Sequence, residues 1–157
     1  MLTVLQRVKE ATVSVEGSVV GSIGRGLVVL LCAVKHDTDR DVDYLVRKTA
    51  QLRIFTDENG KMNRSVAEAG GSIMVISQFT LASSVRRGNR PSFENAESPE
   101  RARELYEEVV RRLRETGLSV STGVFGAMME VSLVNDGPVT VIIDSREGQS
   151  PGSARDG

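Results

Sequence analysis

Residues 27–34, LVVLLCAV, are eight consecutive positions without a charged or strongly polar side chain. A helix needs about 20 such residues to cross a bilayer. A strand with one wet face alternates apolar and polar residues. An unbroken run of this length fits a β-strand covered by apolar layers on both faces. The chain must therefore supply a sheet and something to pack on each side of it.

The flanking sequence supplies both. In residues 2–15, Val4, Val8, Val13 and Val15 recur among Thr and Ser, a strand-like composition. Glu16-Gly17-Ser18 reads as a tight turn and residues 19–23 as the returning strand of a hairpin, with Gly24-Arg25-Gly26 as the next turn. Two amphipathic helices follow from spacings of three and four. Thr38 stands as cap of the first, with Asp39 and Asp41 at its positive end and Val42, Leu45, Val46, Thr49 and Leu52 on its apolar face. Ser98-Pro99 opens the second, with Ala102, Leu105, Tyr106, Val109, Val110 and Leu113 as its stripe and Gly117 as its stop. Further strands are expected at 52–56, 73–81, 119–123, 129–134 and 139–143, with a long polar loop at 82–96. Strands interrupted by only two helices predict an α+β fold: a mostly antiparallel or mixed, barrel-like sheet with two main amphipathic helices. A single domain over residues 1–147 and a disordered Gly/Ser/Pro-rich tail at 148–157 are expected.

Composition excludes several chemistries. Lys plus Arg total 20 against 21 Asp plus Glu, a net charge of -1, which rules out a strongly basic, purely electrostatic nucleic-acid binder but leaves room for a local basic patch. With one Cys there is no internal disulfide, and a reducing compartment fits. Residues 1–9 contain no apolar run of signal-peptide length, so a soluble, cytoplasmic protein without membrane association is expected. Cys32 lies inside the apolar run and reads as a core thiol. His36, the one histidine, stands just before a helix cap and reads as a surface residue. No Cys/His cluster or Gly-rich phosphate loop occurs, so neither a metal site nor a cofactor is expected.

Three segments carry polar groups where chemistry could sit. Ser77-Gln78-Phe79-Thr80-Leu81 ends a strongly apolar strand; it is either an ordinary exposed strand end or the lip of a polar pocket. Asn135-Asp136-Gly137-Pro138-Val139-Thr140 reads as a turn between two strands, and its Gly-Pro bond is one of the few places where a cis peptide is accessible. Arg86-Arg87-Gly88-Asn89-Arg90-Pro91-Ser92-Phe93 is either a solvated loop or a phosphate-contacting one.

Together with Val4-Leu5-Gln6-Arg7-Val8 and Gly123-Val124-Phe125-Gly126-Ala127, these blocks resemble the D-aminoacyl-tRNA deacylase family of the bacterial and eukaryotic type. The resemblance spans residues 1 to about 145, and the pairing of SQFTL with NxGPVT in one small chain is its most specific element. It implies a homodimeric tRNA-editing hydrolase with cross-subunit active sites. Such enzymes cleave the ester joining a D-amino acid to the tRNA 3′ end and also clear glycine from alanine tRNA; neither DNA nor a membrane is an expected partner. By the same resemblance, Gly137 and Pro138 form a cis-peptide element entering the partner's pocket. Ser77, Gln78, Phe79, Thr80 and Phe125 hold the terminal adenosine and aminoacyl group, and Arg7 braces the Gly-Pro element. The 2′-OH of the terminal ribose assists hydrolysis, with Thr80 a lower-ranked candidate nucleophile. Contact of Arg86, Arg87 and Arg90 with tRNA is an added expectation from their charge. The segment Ala82-Ser83-Ser84-Val85 departs from relatives that carry Tyr or charge there. Two other readings stay open: an aminoacyl-tRNA editor of relaxed chirality, and a non-catalytic dimeric module binding a small molecule or a nucleic-acid end.

Overall fold

The computed structural model describes residues 1–149. The chain runs β1 (Leu2–Val15), β2 (Ser18–Ile23), β3 (Gly26–Cys32), α1 (Asp39–Gln51), β4 (Phe55–Thr56), β5 (Met62–Arg64), β6 (Ser72–Ser77), α2 (Pro99–Glu115), β7 (Val120–Thr122) and β8 (Glu130–Asp144). The β1–β2 hairpin turns through Glu16 at φ 50° and Gly17 at φ 79°. Positive φ at both central positions gives the turn the twist that its flanking strands require.

The main sheet is ordered β2-β1-β3-β6-β7, with β8 paired to β1. β1 is antiparallel to β2, β3 and β8, whereas β3–β6 and β6–β7 are parallel, so the sheet is mixed. Its two ends, β2 and β7, meet: a Cβ on Gly21 would lie 2.6 Å from the Thr122 carbonyl oxygen. The Ser121 hydroxyl also donates to the Ser22 carbonyl at 3.2 Å. The sheet thus curls into a nearly closed barrel. β4 and β5 form a separate two-stranded ribbon.

The apolar run divides its side chains as a doubly covered strand must. Leu27, Val29 and Leu31 join α1 and α2 residues such as Val42, Leu45, Leu105 and Val109 in one core. Val28, with Leu30 packed alongside, faces Val8, Val13, Met74 and Ile76 in a second. Cys32 lies with Val34 and Ala82 in a third. Where β3 enters the sheet, a Cβ on Gly26 would lie 1.8 Å from the Ser72 carbonyl oxygen, so only glycine permits that approach.

The helices form where periodicity places them. The Asp41 carboxylate accepts the Thr38 N–H at 2.8 Å and caps α1. Ser98 occupies the cap position of α2, but its side chain makes no capping hydrogen bond; Pro99, whose ring pre-sets the helical φ, begins the helix. Arg112 of α2 ties the helices together through Asp39 and Asp43 of α1, and it also pairs with Glu108 on its own helix.

Strand assignments differ from expectation at several places: the strand expected over 52–56 is confined to Phe55–Thr56, because Leu52 still closes α1, and its partner β5 is an additional strand. The strand predicted over 73–81 stops at Ser77, and Phe79–Ala82 winds into a 3-10 turn. The strands predicted at 129–134 and 139–143 are one strand, β8, because both halves pair with the same long β1. A 3-10 turn over Ser145–Gln149 reaches into the first two positions of the expected tail; residues 150–157 of that tail lie outside the described residues. Among the described residues, no helix is long and apolar enough to cross a membrane.

Candidate functional site

The end of β6 opens into a cavity of about 580 Å3. Ser77 still pairs with Leu31, and the Gln78 N–H donates to the Leu31 carbonyl at 2.8 Å. The backbone then leaves the sheet, carrying Ser77, Gln78, Phe79 and Thr80 onto the cavity wall. The opposite wall comes from α2, through Ala102 and Tyr106, and from the β7–β8 connection, through Phe125, Gly126 and Met129. The lining is mostly apolar with a few polar groups at one lip, the usual make-up of a small-molecule site.

Each wall is held in a definite way. The Gln78 amide donates to the Thr80 hydroxyl. Phe79, 56% exposed, meets Phe93 edge-on at 5.1 Å between ring centroids. Phe125 sits between Tyr106, at 5.6 Å, and the Arg103 guanidinium, at 4.9 Å from its ring centre. The buried Tyr106 hydroxyl donates to the Val75 carbonyl at 2.9 Å, and burial pushes its pKa up to about 12.

Cys32 lines the same cavity, but its thiol lies 3.5 Å from the Phe79 carbonyl and burial raises its pKa, so it stays protonated. His36 is exposed at φ 73° and does not line the cavity. No imidazole therefore stands beside Ser77 or Thr80. Among the described residues, no group of three or more His, Cys, Asp or Glu side chains could hold a metal ion.

Met1 lines this cavity and ties it to a buried polar cluster. The Met1 ammonium, fully buried, donates to Asp37 at 2.6 Å and to the Ser145 hydroxyl at 2.5 Å; Ser145 in turn donates to Asp41 at 2.6 Å. Burial pushes the Asp37 carboxyl up in pKa. Burial acts the same way on Asp41, but hydrogen bonds from Ser145 and Thr38 outweigh it and lower the net value. In the sequence, Asp41 reads only as a helix N-terminal acid. Its tie to Ser145 depends on β8 ending beside the start of β1.

Gly137 and Pro138 do not line this cavity; both are exposed. Gln6 pairs with Thr140 and Val8 with Asn135, so the single residue Arg7 stands opposite residues 136–139. The surplus residues are extruded from β8 as a bulge. Arg7, 8% exposed, fills the space beneath it, donating through Nε to the Asp136 carbonyl at 2.8 Å and through a terminal nitrogen to the Ile54 carbonyl at 2.7 Å. Asn135 spans the neck of the bulge: its Oδ1 accepts the Val139 N–H at 2.8 Å, and its Nδ2 donates to the Thr140 hydroxyl at 3.1 Å. The Gly137–Pro138 peptide, whose isomer the sequence leaves open, is cis. Gly137 has φ +146°, and a Cβ there would lie 2.7 Å from Val139 Cγ2 and 2.8 Å from its amide nitrogen.

Arg86, Arg87 and Arg90 lie on an exposed loop closed by paired hydrogen bonds between Ser84 and Ser92, at 2.8 and 2.9 Å. None of the three lines the cavity. Phe93, just after the loop, packs against Phe79 at the lip.

Comparison with known proteins places this architecture. Among solved structures, one described as the c-Myc DNA Unwinding Element Binding Protein matches with a TM-score of 0.87 and 41% identity, over 92% of this chain and 98% of that one. A probable eukaryotic D-amino acid tRNA deacylase shares the fold, with a TM-score of 0.78 at 18% identity. A family model described as D-Tyr-tRNA(Tyr) deacylase matches residues 4–144. The D-aminoacyl-tRNA deacylase of Persephonella marina is 59% identical over 146 residues, 93% of this chain and 99% of the relative. That of Aquifex aeolicus is 56% identical over 147 residues, 94% of this chain and 99% of the relative. The chain belongs to the D-Tyr-tRNA(Tyr) deacylase family.

Proposed function

We propose that this chain is a tRNA-editing hydrolase that cleaves the ester of D-aminoacyl-tRNA, and of glycyl-tRNA for alanine, releasing the free amino acid in the cytoplasm. The observation that carries the reading is the division of labour within one chain. The SQFT segment lines a cavity, while the exposed Gly137-Pro138 bulge, braced by Arg7 and Asn135, lies outside that lining. A rigid projection and a cavity on separate parts of one surface suit a homodimer in which each bulge enters the partner's cavity. In this reading residues 1–147 act as one editing domain.

Ser77, Gln78, Phe79, Thr80 and Phe125 hold the terminal adenosine and the aminoacyl group. The Gly137 and Pro138 backbone carbonyls form a wall beside the α-carbon. An L-amino acid directs its side chain into that wall, a D-amino acid directs it away, and glycine has none to exclude. Steric rejection of this kind discriminates more sharply than a graded apolar pocket.

With no imidazole at the lip, an unactivated Thr80 hydroxyl is a poor nucleophile near neutral pH. The 2′-OH of the terminal ribose is the better-placed assistant to water attack, and the protein's part is to orient the ester and exclude the wrong enantiomer. The test charges one tRNA in turn with D-Tyr, L-Tyr and glycine and follows deacylation. Release of D-Tyr and glycine with retention of L-Tyr is expected. Comparable release of L-Tyr makes the protein an editor of relaxed chirality. Tight binding without turnover makes it a binding module, and preference for DNA over tRNA overturns the partner assignment.

A further inference from the structure

Across Tyr106 and Phe125 from the SQFT cavity lies a second hollow, also of about 580 Å3, which shares those two rings as a wall. Its rim carries Arg103, Arg111 and Arg114 with Glu107 and Glu115. These charges differ in their freedom. Arg111 is taken up by Glu108 at 2.6 Å and by Glu115, which neutralises Glu115 as well. Among the described residues, Arg103 and Arg114 have no carboxylate within ion-pair distance. Arg103 rests on the face of Phe125 at 4.9 Å, and Arg114 donates to the Val120 carbonyl at 3.2 Å. The hollow therefore presents two unpaired guanidinium groups against one remaining carboxylate, Glu107, on a chain whose net charge is -1.

We infer that this hollow is the subsite for the phosphodiester groups leading to the terminal nucleoside of the tRNA, with Arg103 and Arg114 as the groups that hold them; the inference rests on the function proposed above. A strand whose last nucleoside occupies the SQFT cavity has to leave it. The depression across the shared aromatic wall is the adjoining one that carries unpaired positive charge. A guanidinium whose carbon is held over a ring still has N–H groups to donate, and such groups grip phosphate. The Arg86–Arg90 loop is richer in charge, but none of its three arginines lines either hollow. This assigns phosphate binding to α2, where the sequence shows only a helix with balanced charge.

Steady-state deacylation of D-tyrosyl-tRNA and of D-tyrosyl-adenosine, which lacks the phosphodiesters, tests the subsite over a range of salt concentrations. In Arg114→Ala, which leaves Phe125 untouched, the ratio of KM for the tRNA to KM for the nucleoside rises about tenfold, as for removal of one charged hydrogen bond. The dependence of log KM on log salt becomes shallower by about 0.7 for each phosphate of a single strand that the protein no longer neutralises. Arg103→Ala does the same and Arg103→Lys restores the salt slope. Arg101→Ala, an exposed residue paired with Glu104 outside both hollows, changes neither quantity. An unchanged ratio and slope in Arg114→Ala overturns the subsite while leaving the functional reading intact. So does an effect confined to Arg103→Ala and equal on both substrates, since that shows only that Arg103 holds Phe125. Failure of the wild-type protein to hydrolyse D-tyrosyl-tRNA overturns the functional reading and the subsite with it.

Discussion

The SQFT lip and the Gly137-Pro138 bulge are built by opposite means. At the lip, the backbone has just left the sheet and presents side chains; one hydrogen bond, from Gln78 to Thr80, orders the polar pair. At the bulge, side chains turn inward to hold the backbone. Arg7 bonds the carbonyls of Asp136 and Ile54, and Asn135 bonds Val139 and Thr140. A lip of separate side chains tolerates change, because removing one group takes away only that group's own interaction. A surface made of main chain can be altered only by moving the chain. In the function proposed above, stereochemical exclusion requires a wall that does not yield, and the bulge offers main chain held from beneath by side chains.

The largest effect is expected at Gly137. Alanine there places a Cβ 2.7 Å from Val139 Cγ2 and 2.8 Å from its backbone nitrogen, at φ +146°. The bulge must shift, and a displacement near 1 Å at a reacting centre lowers the rate about 100-fold. Deacylation of D-tyrosyl-tRNA by Gly137→Ala, measured with L-tyrosyl-tRNA alongside, checks this. Wild-type rate and selectivity in that variant would falsify the rigid-wall account.

Arg7→Ala removes the donors to two carbonyls from a side chain that is only 10% exposed. A urea titration should show a stability loss of about 2 kcal/mol, together with lower D-selectivity. Arg7→Lys recovers only part of both, because one ammonium cannot reproduce a two-directional fork. The contrasting expectation at the lip is a small effect: Thr80→Ala loses one neutral hydrogen bond of about 1 kcal/mol, under about tenfold in kcat. A larger fall would return Thr80 to the chemistry. The smallest effect is expected on the α2 wall of the cavity, in Tyr106→Phe, which leaves the Val75 carbonyl without its donor at a cost of about 1 kcal/mol. Its signature is in the pH profile. The wild-type pKa is about 12 against an ordinary 10.0, so the unfolded chain releases that proton first. The stabilisation is complete below pH 10 and is lost as pH rises through 12. Urea midpoints measured across that window should fall less steeply in Tyr106→Phe.

Much of this was legible before the structure. Eight apolar residues in a row called for a doubly covered strand, and their alternate side chains do enter two cores. Spacings of three and four located α1 and α2 because one helical face must be buried, whatever it packs on. The order of the short motifs identified the family. By contrast, the continuity of β8 was hidden, because Asn135 to Thr140 has the composition of a turn, and only the pairing of both flanks with β1 shows that those residues bulge from a single strand.

Residue patterns of short range decided the strands, the helices and the polar segments worth watching, since backbone propensity and one-sided burial act over a few residues. Tertiary structure alone decided that Arg7 lies beneath a carbonyl 129 positions away, that Tyr106 and Phe125 divide two hollows, and that Ser145 joins Asp41 to the Met1 ammonium. Those juxtapositions follow from the register of β1 on β8 and from closure of the barrel, which are set by the summed packing of the whole chain and leave no mark on any one segment.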